Sequence, residues 1–81
     1  MDKKVIIYST SWCSFCHAEA EWLEANGIKH EIKDIEADSA ARDELLKKVD
    51  GNFQGVPVTD IDGTIVLGFN RPKLSQLLDI K

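Results

Sequence analysis

The alternation of hydrophobic and polar residues along the chain predicts four short strands. Residues 5–8 form a continuous β-branched and aromatic run, which is typical of a strand buried on both faces. Residues 28–35 alternate isoleucines with charged side chains and predict a second strand. Residues 56–61 and 64–67 lie on either side of Asp62-Gly63, and this arrangement is a strong signal for a β-hairpin.

The first predicted helix runs from about Cys13 to Asn26, where polar and apolar side chains recur every three or four residues. Asn26-Gly27 is a good C-terminal stop, because glycine readily adopts the left-handed conformation. The polar stripe of this helix comprises Ser14, His17, Glu21 and Glu24. Its apolar stripe comprises Phe15, Ala18, Trp22 and Ala25, with Cys16, Ala20 and Leu23 alongside.

Two further helices follow. Asp38 or Ser39 can cap the second, which runs to about Val49. Asn70 can cap the third, where Pro72 is tolerated in the first turn. The second is expected to bury Ala41, Leu45 and Val49 and to pair Asp43 with Lys47 and Glu44 with Lys48. The third is expected to bury Leu74, Leu77 and Leu78.

The predicted order of elements is therefore β-α-β-α-β-β-α. The first βαβ unit requires a right-handed crossover and a parallel strand pair, and the later hairpin adds antiparallel strands. With 81 residues, the chain is expected to form one small α/β domain over residues 1–81 with a mixed sheet.

Composition narrows the classes of function. The net charge is −4 and cations are rarely adjacent, so nucleic-acid binding is not expected. No apolar run approaches the roughly 20 residues needed to span a bilayer, and no signal-peptide pattern opens the chain. The expectation is a monomeric cytoplasmic protein without membrane contact.

The candidate chemistry lies in Cys13-Ser14-Phe15-Cys16-His17, which contains both cysteines of the chain. C-x-x-C near a βαβ unit is typical of a redox dithiol, whereas C-x-x-C-H is also the attachment motif of c-type haem. Haem would need a second axial ligand, usually Met or His, and the candidates are Met1 and His30. Interleaved strands, poor ligands and the lack of an export signal favour the dithiol.

Three other interpretations of these residues fit the sequence less well. A mononuclear zinc site would use Cys13, Cys16, His17 and His30, but the usual two-plus-two spacing is missing. His17 could assist the neighbouring thiol as a proton donor or cation; its place on the polar stripe favours an ordinary solvated position instead. Two inert core thiols would fit poorly with the polar approach to Cys13.

Dithiol chemistry follows from the predicted position of each sulfur. A free thiol with a pKa of about 8.5 is only about 3% ionised at pH 7, and a helix N-terminus stabilises its anion. Cys13 starts the first helix and is expected to be the more exposed thiol, with a lowered pKa. It would form the mixed disulfide, and Cys16, which points towards the core one turn later, would resolve it.

Three segments resemble the glutaredoxin family, a branch of the thioredoxin fold. They are residues 8–16 around the dithiol, Gly55-Val56-Pro57, and Gly68-Phe69. The resemblance implies strand order 2-1-3-4 with helices on both faces. It also implies a cis peptide bond at Pro57 beside the dithiol and a backbone at Val56 that pairs with the bound substrate. Trp12, Phe15, Gly68 and Phe69 are the further candidate substrate-binding residues.

Departures from the family pattern bear on the reductant. Glutathione-using members usually carry C-P-Y-C, and after the hairpin an acidic residue that holds the glutamyl end of glutathione. Here Ser14-Phe15 separate the cysteines, and Asn70-Arg71 stand near the acidic position. Loss of that carboxylate would weaken glutathione binding by about 1–3 kcal/mol.

Gly68-Phe69, with Arg71 close behind, instead resembles redoxins that serve ribonucleotide reductase and take electrons from thioredoxin reductase. The resemblance therefore implies a reductase of protein disulfides, with glutathione-dependent oxidoreduction as the alternative and no tightly bound cofactor. A third class is an iron–sulfur carrier, which usually needs a more open motif and bound glutathione. Brown protein after anaerobic purification would indicate that class.

Two aromatic residues each have two interpretations, and one aspartate has a single simple one. Trp12 could form an apolar lip for docking partners or pack on its loop. Phe69 could flank the same cleft, although packing under the last helix is favoured. Asp60 lies on a strand face where the family is apolar, and the simplest interpretation is an exposed strand end.

Overall fold

The computed structural model describes residues 4–51, 53 and 55–80, and its elements follow the predicted order. Met1, the rival haem ligand, lies outside these residues. The strands are β1 (Val5–Ser9), β2 (Glu31–Asp34), β3 (Val58–Ile61) and β4 (Thr64–Leu67). The helices are α1 (Ser14–Ala25), α2 (Ser39–Lys48) and α3 (Arg71–Leu78). No helix within the described ranges is long and apolar enough to cross a membrane.

The four strands form one mixed sheet in the order β2-β1-β3-β4, which confirms the predicted thioredoxin-like topology. β1 and β2 are parallel, with Ile7 opposite Ile32. β1 and β3 are antiparallel, with Tyr8 opposite Val58, and β4 returns antiparallel to β3. The carboxyl end of β1 therefore lies at the same sheet edge as the start of β3. This register brings the loop before α1 and the segment before β3 to one edge.

Apolar side chains cover both faces of the sheet. On one face the buried cluster joins the sheet to α1 and α3, and on the other it joins the sheet to α2. The first cluster consists of Val5, Ile7, Leu23, Ile61, Val66 and Leu74. The second consists of Ile6, Tyr8, Ile35, Ala41, Leu45 and Val58. Successive residues of β1 belong to alternate clusters, so the prediction of a strand buried on both faces is confirmed.

The predicted apolar face of α1 is only partly correct: its members Trp22 and Ala20 pack against the core, but three others do not. Phe15, Ala18 and Ala25 are exposed, and the buried side chains are Cys16, Glu19 and Leu23. Helix α1 contacts the sheet through Cys16, Glu19 and Leu23, which are spaced three and four residues apart. This face is rotated about the helix axis relative to the predicted stripe. A fully buried glutamate therefore occupies the face that packs on the sheet.

Two strands begin later along the chain than predicted. The second strand begins at Glu31 rather than at residue 28, because the Ile28 N–H still bonds to the carbonyl of Leu23 at the end of α1. Ile28 packs against the cluster under α1 instead of extending the sheet. β3 begins at Val58, two residues later than predicted.

The interpretation of Asp60 as an exposed strand end is wrong. Asp60 is 8% exposed, its Oδ2 accepts a hydrogen bond from Lys48 at 2.5 Å, and its Oδ1 accepts one from the Gly63 N–H at 2.7 Å. Lys48 also donates to the Tyr8 hydroxyl at 2.6 Å, which donates to Glu44. The predicted pairing of Glu44 with Lys48 is thus replaced by contacts from α2 to the sheet, including Lys33–Glu44 at 3.0 Å.

Candidate active site

Cys13 is the N-cap of α1. Its backbone is extended (φ −83°, ψ 105°) and its Sγ accepts a hydrogen bond from the Cys16 N–H at 3.1 Å. A sulfur here takes the role that Ser, Thr or Asp usually has at an N-cap, and it satisfies one of the unpaired N–H groups of the first turn. The positive end of the helix dipole and this N–H both favour negative charge on the sulfur.

Both thiols are free and both are buried, with 5% of Cys13 and 4% of Cys16 exposed. The expectation that Cys13 would be clearly the more exposed thiol is therefore wrong. The turn before α1 folds back over it, since the Cys13 N–H donates to the carbonyl of Thr10 at 3.3 Å and Thr10 is itself buried. The two sulfurs therefore do not differ in exposed surface, but they differ in position, since Cys13 Sγ accepts the Cys16 N–H at the N-terminus of the helix.

The Cys16 thiol is strongly biased towards its protonated form. Burial raises its pKa to about 12, with further contributions from the Cys13 side chain and the negative charge of Glu19, while a backbone hydrogen bond from Thr10 opposes them. At neutral pH Cys16 is therefore a neutral thiol. It can attack a disulfide only if its proton is removed.

The segment before β3 forms the second side of the site. The Val56–Pro57 peptide bond is cis, as the family resemblance implied, and Pro57 is buried. The Pro57 carbonyl accepts a hydrogen bond from the Gly68 N–H at 2.9 Å, and Gly68 adopts a positive φ of 74° that favours glycine. Gly55, Val56, Pro57 and Gly68, together with Leu67, line a small cavity of about 290 Å³.

Trp12 lies beside a larger groove. Its side chain is 70% exposed and it lines a cavity of about 520 Å³ together with Val56, Phe53 and Arg42 of α2. The exposure of Trp12 favours the apolar-lip interpretation over packing on its own loop. Phe15, also 67% exposed, projects from the first turn of α1. Apolar surface is therefore available on the chain next to Cys13.

Phe69 is partly buried and lies against the core. It packs against the cluster under α1 and α3, and its ring meets Trp22 edge-on with ring centroids 5.9 Å apart. The packing interpretation favoured from the sequence is confirmed, and this contact points the Phe69 side chain into the core.

The histidines do not join the dithiol in a metal site. His17 is exposed, with its Nε2 3.2 Å from the carbonyl oxygen of Ser11, and His30 contacts the carbonyl of Ile28 through Nδ1. In the part of the chain that the structure describes, no group of three or more His, Cys, Asp or Glu side chains is placed to hold a metal ion.

Glu19 is the residue that the sequence interpretation missed. It has no exposed surface, its Oε2 accepts a hydrogen bond from the Thr59 hydroxyl at 2.5 Å, and its Oε1 has no hydrogen-bond partner among the described residues. Burial raises its pKa to about 7, against smaller lowering effects of Thr59 and His30. The signal in the sequence was its position between Cys16 and Leu23 at spacings of three and four.

These features together define a class of protein. A C-x-x-C dithiol at the N-terminus of α1 faces a cis-proline segment across the edge of a 2-1-3-4 sheet, and this combination is that of thioredoxin-fold redox proteins.

Comparison with known proteins then gives the family. The sequence profile of glutaredoxins matches residues 5–66, and the chain belongs to the glutaredoxin family. The chain is 33% identical over 73 residues to an uncharacterized glutaredoxin-like 8.6 kDa protein in the rubredoxin operon of Clostridium pasteurianum. That alignment covers 90% of this chain and 95% of the relative.

Two solved structures extend the comparison. A mutant of the thioredoxin-like protein BC3987 has a TM-score of 0.87 and 36% identity, with coverage of 95% of this chain and 96% of that one. NrdH-redoxin from Escherichia coli has a TM-score of 0.78 and 23% identity, with coverage of 91% and 93%. The second similarity concerns the fold alone. The chain is thus a glutaredoxin-like redoxin with a C-x-x-C pair.

Proposed function

We propose that this redoxin reduces disulfides of protein substrates through a mixed disulfide on Cys13. The observation that carries the proposal is the N-cap geometry, in which Cys13 Sγ receives the Cys16 N–H at 3.1 Å. Because that N–H and the helix dipole favour an anionic sulfur, Cys13 is the better nucleophile of the two. Cys16, whose burial keeps it protonated, is suited to the second step.

The reaction proceeds in two exchanges. The Cys13 thiolate attacks one sulfur of the substrate disulfide, and the other substrate sulfur leaves as a thiolate that takes a proton from water. Cys16 then loses its proton and attacks Cys13, which releases the second substrate thiolate and leaves a Cys13–Cys16 disulfide. The substrate gains two electrons, and the redoxin loses two.

The substrate segment is proposed to lie along Val56 and beside Trp12. An extended strand can bond to the backbone ahead of Pro57, at the sheet edge next to the dithiol. The exposed Trp12 ring supplies apolar contact area, and Phe15 adds more on the other side of Cys13. Gly68 supports this surface indirectly through its hydrogen bond to the Pro57 carbonyl. Phe69 is left out of the proposed contact surface because its partly buried ring packs against the core.

A trapping experiment tests the dithiol mechanism. Cys16→Ser should accumulate a stable mixed disulfide with a protein substrate, because the resolving sulfur is missing. Cys13→Ser, the matched control, should form little of it under the same conditions. Non-reducing electrophoresis and mass spectrometry measure the amount of mixed disulfide that each variant forms. If the two variants trap substrate equally, the assignment of Cys13 as nucleophile is wrong.

We further propose that the electrons come from thioredoxin reductase rather than glutathione. At the N-terminus of α3 the side chains are Asn70, which caps the helix through a 3.2 Å bond from the Lys73 N–H, and Arg71, whose guanidinium lies 5.6 Å from the Phe69 ring. A cation near the expected glutamyl site repels the ammonium group of glutathione. A reducing cytoplasm is the proposed compartment and ribonucleotide reductase a candidate substrate.

A paired coupled assay tests the electron donor. NADPH oxidation should be faster with thioredoxin reductase than with glutathione plus glutathione reductase. Asn70→Asp should raise the glutathione branch several-fold, because Asp keeps the cap and adds the missing carboxylate. Asn70→Ser keeps the cap without the charge and serves as control. Turnover through the glutathione branch alone would show that the donor assignment is wrong.

A further inference from the structure

The second exchange needs a proton acceptor for Cys16, because the substrate thiolate released in the first exchange takes its proton from water. Cys16 is 4% exposed and keeps its proton at neutral pH, so its sulfur is almost entirely unreactive until that proton is removed. Bulk water reaches a site this buried poorly. A group inside the core is therefore better placed than bulk water to accept this proton.

Glu19 is placed for this task. It follows Cys16 by three residues on the buried face of α1, where Cβ atoms are about 5–6 Å apart, a separation that the longer glutamate side chain can span. Its negative charge contributes to the raised pKa of the Cys16 thiol. The Thr59 hydroxyl on β3 holds one carboxyl oxygen at 2.5 Å, while the other, Oε1, is buried and has no hydrogen-bond partner among the residues described.

A purely structural role explains Glu19 poorly. A glutamine, or a leucine like the one at position 23, would fill the same site without the cost of desolvating a carboxyl group. An unpartnered buried carboxyl oxygen costs about 1–3 kcal/mol. Such a group beside a redox pair is typical of a site where protonation changes during the reaction.

We propose that Glu19 accepts the proton of Cys16 when the mixed disulfide is resolved, an inference that rests on the proposed function. The Cys16 S–H proton passes to the Glu19 carboxylate, and the Cys16 sulfur forms a bond to the Cys13 sulfur. The bond between Cys13 and the substrate sulfur breaks, and the electron pair leaves on the substrate as a thiolate. When a reductant later opens the Cys13–Cys16 disulfide, Glu19 returns the proton to Cys16.

Among the residues that the structure describes, three groups interact with Glu19 and bear on its protonation. They are Cys16 on the same helix, the Thr59 hydroxyl on β3, and His30 ahead of β2, whose charge favours the carboxylate. The resolving step should accordingly accelerate as pH rises through about 7, since the carboxylate is the acceptor. Removing the Thr59 hydroxyl should move this inflection to higher pH.

Stopped-flow reaction of the reduced protein with the chromogenic disulfide dithiobis(nitrobenzoate) separates the two exchanges. The first nitrothiobenzoate is released at a rate that depends on reagent concentration and reports attack by Cys13. The second is released at a concentration-independent rate and reports attack by Cys16 on the adduct. Absence of the first phase would overturn the proposed function, whereas the Glu19 proposal depends on the second phase alone.

In wild type the second phase should show the inflection near pH 7. Glu19→Gln should slow this phase by about 10–100-fold at neutral pH and remove the inflection, with the first phase retained. Thr59→Val should shift the inflection upward. Glu21→Gln, an exposed glutamate on the same helix, should behave like wild type.

His17→Gln and His30→Gln identify the titrating group, because histidines also titrate near neutral pH. The inflection should persist in both variants. Its disappearance with either histidine, its absence from wild type, or a Glu19→Gln second phase with wild-type rate and pH profile would each overturn the proposal. The wild-type and Thr59→Val profiles decide the question even if Glu19→Gln does not fold.

Discussion

The buried carboxyl group of Glu19 lowers the stability of the fold when it is ionised, and in the proposed mechanism it accepts a proton. A carboxyl group with no exposed surface is far better tolerated when protonated, which is why burial raises its pKa from 4.5 to about 7. The Thr59 hydroxyl offsets part of this effect by donating to the carboxylate. At neutral pH the folded protein therefore holds a partly ionised group in its core, on the same buried face of α1 as Cys16.

This burial predicts a dependence of stability on pH. The pKa of Glu19 is higher in the folded than in the unfolded chain. Its contribution to the free energy of unfolding is therefore full below about pH 4.5 and is lost as pH rises through about 7. The expected loss of unfolding free energy is about 3 kcal/mol. Glu19→Gln should lack this decrease. Urea denaturation across the pH range measures it.

The exposed residue Glu21 provides the control for that experiment. Glu21→Gln should retain the wild-type decrease in unfolding free energy, because it removes an exposed carboxyl group and leaves the buried Glu19 in place. Parallel pH profiles for wild type and Glu19→Gln would contradict the assignment of a raised pKa to this carboxyl.

At the scale of elements, α2 is tied to the sheet by polar contacts as well as by its apolar face. Lys48, in the last turn, donates both to Asp60 of β3 and to the Tyr8 hydroxyl of β1, and Tyr8 donates to Glu44 one turn earlier. The Lys48 ammonium also lies 5.0 Å from the Tyr8 ring centroid. These contacts are half-buried, so screening by water weakens them less than at an exposed surface.

Removal of Asp60 should therefore destabilise the fold. Asp60→Ala leaves Lys48 without its carboxylate and the Gly63 N–H without its acceptor in the hairpin turn. The expected loss is about 1–3 kcal/mol of unfolding free energy, measured by urea denaturation. Asp43→Ala, at an exposed position of α2, should change stability by less than about 0.5 kcal/mol. Equal effects of the two substitutions would contradict the role of this contact.

At the scale of the molecule, the dithiol lies where two loops meet at one edge of the sheet. The parallel β1–β2 pair and the antiparallel β1–β3 pair bring the turn after β1 and the cis-proline segment together. Trp12 and Phe15 leave most of their surface exposed beside Cys13. An exposed aromatic residue next to the proposed nucleophile favours substrates that supply an apolar partner surface.

Trp12 should consequently matter more for protein disulfides than for small ones. Trp12→Ser should lower kcat/KM for a protein substrate by about tenfold, as expected for an interface aromatic, with a smaller effect on a low-molecular-weight disulfide. Steady-state kinetics with both substrates measure the ratio. Ile32→Ser removes a comparably exposed apolar side chain from β2 and should leave that ratio unchanged. A proportional loss with both substrates would argue against a docking role.

Much of the fold could be predicted from local sequence. Asp38 and Asn70 cap α2 and α3 as predicted, because a side-chain oxygen that can bond the first-turn N–H groups is a strictly local signal. The hairpin at Asp62-Gly63 and the position of Cys13 at the start of α1 depend likewise on residues adjacent in the chain. The strand order came from the family resemblance, and the structure confirms it.

The sequence by itself determined the elements, their caps and the dithiol, since each depends on side chains within a few residues of one another. Tertiary structure alone decided how α1 is rotated against the sheet, which buries Glu19 and exposes Phe15, and it decided that Lys48 pairs with Asp60 rather than with Glu44. The periodicity of a helix identifies its faces but not which one meets the sheet. That choice depends on packing across elements distant in the chain, where burial changes the pKa values on which the proposed chemistry depends.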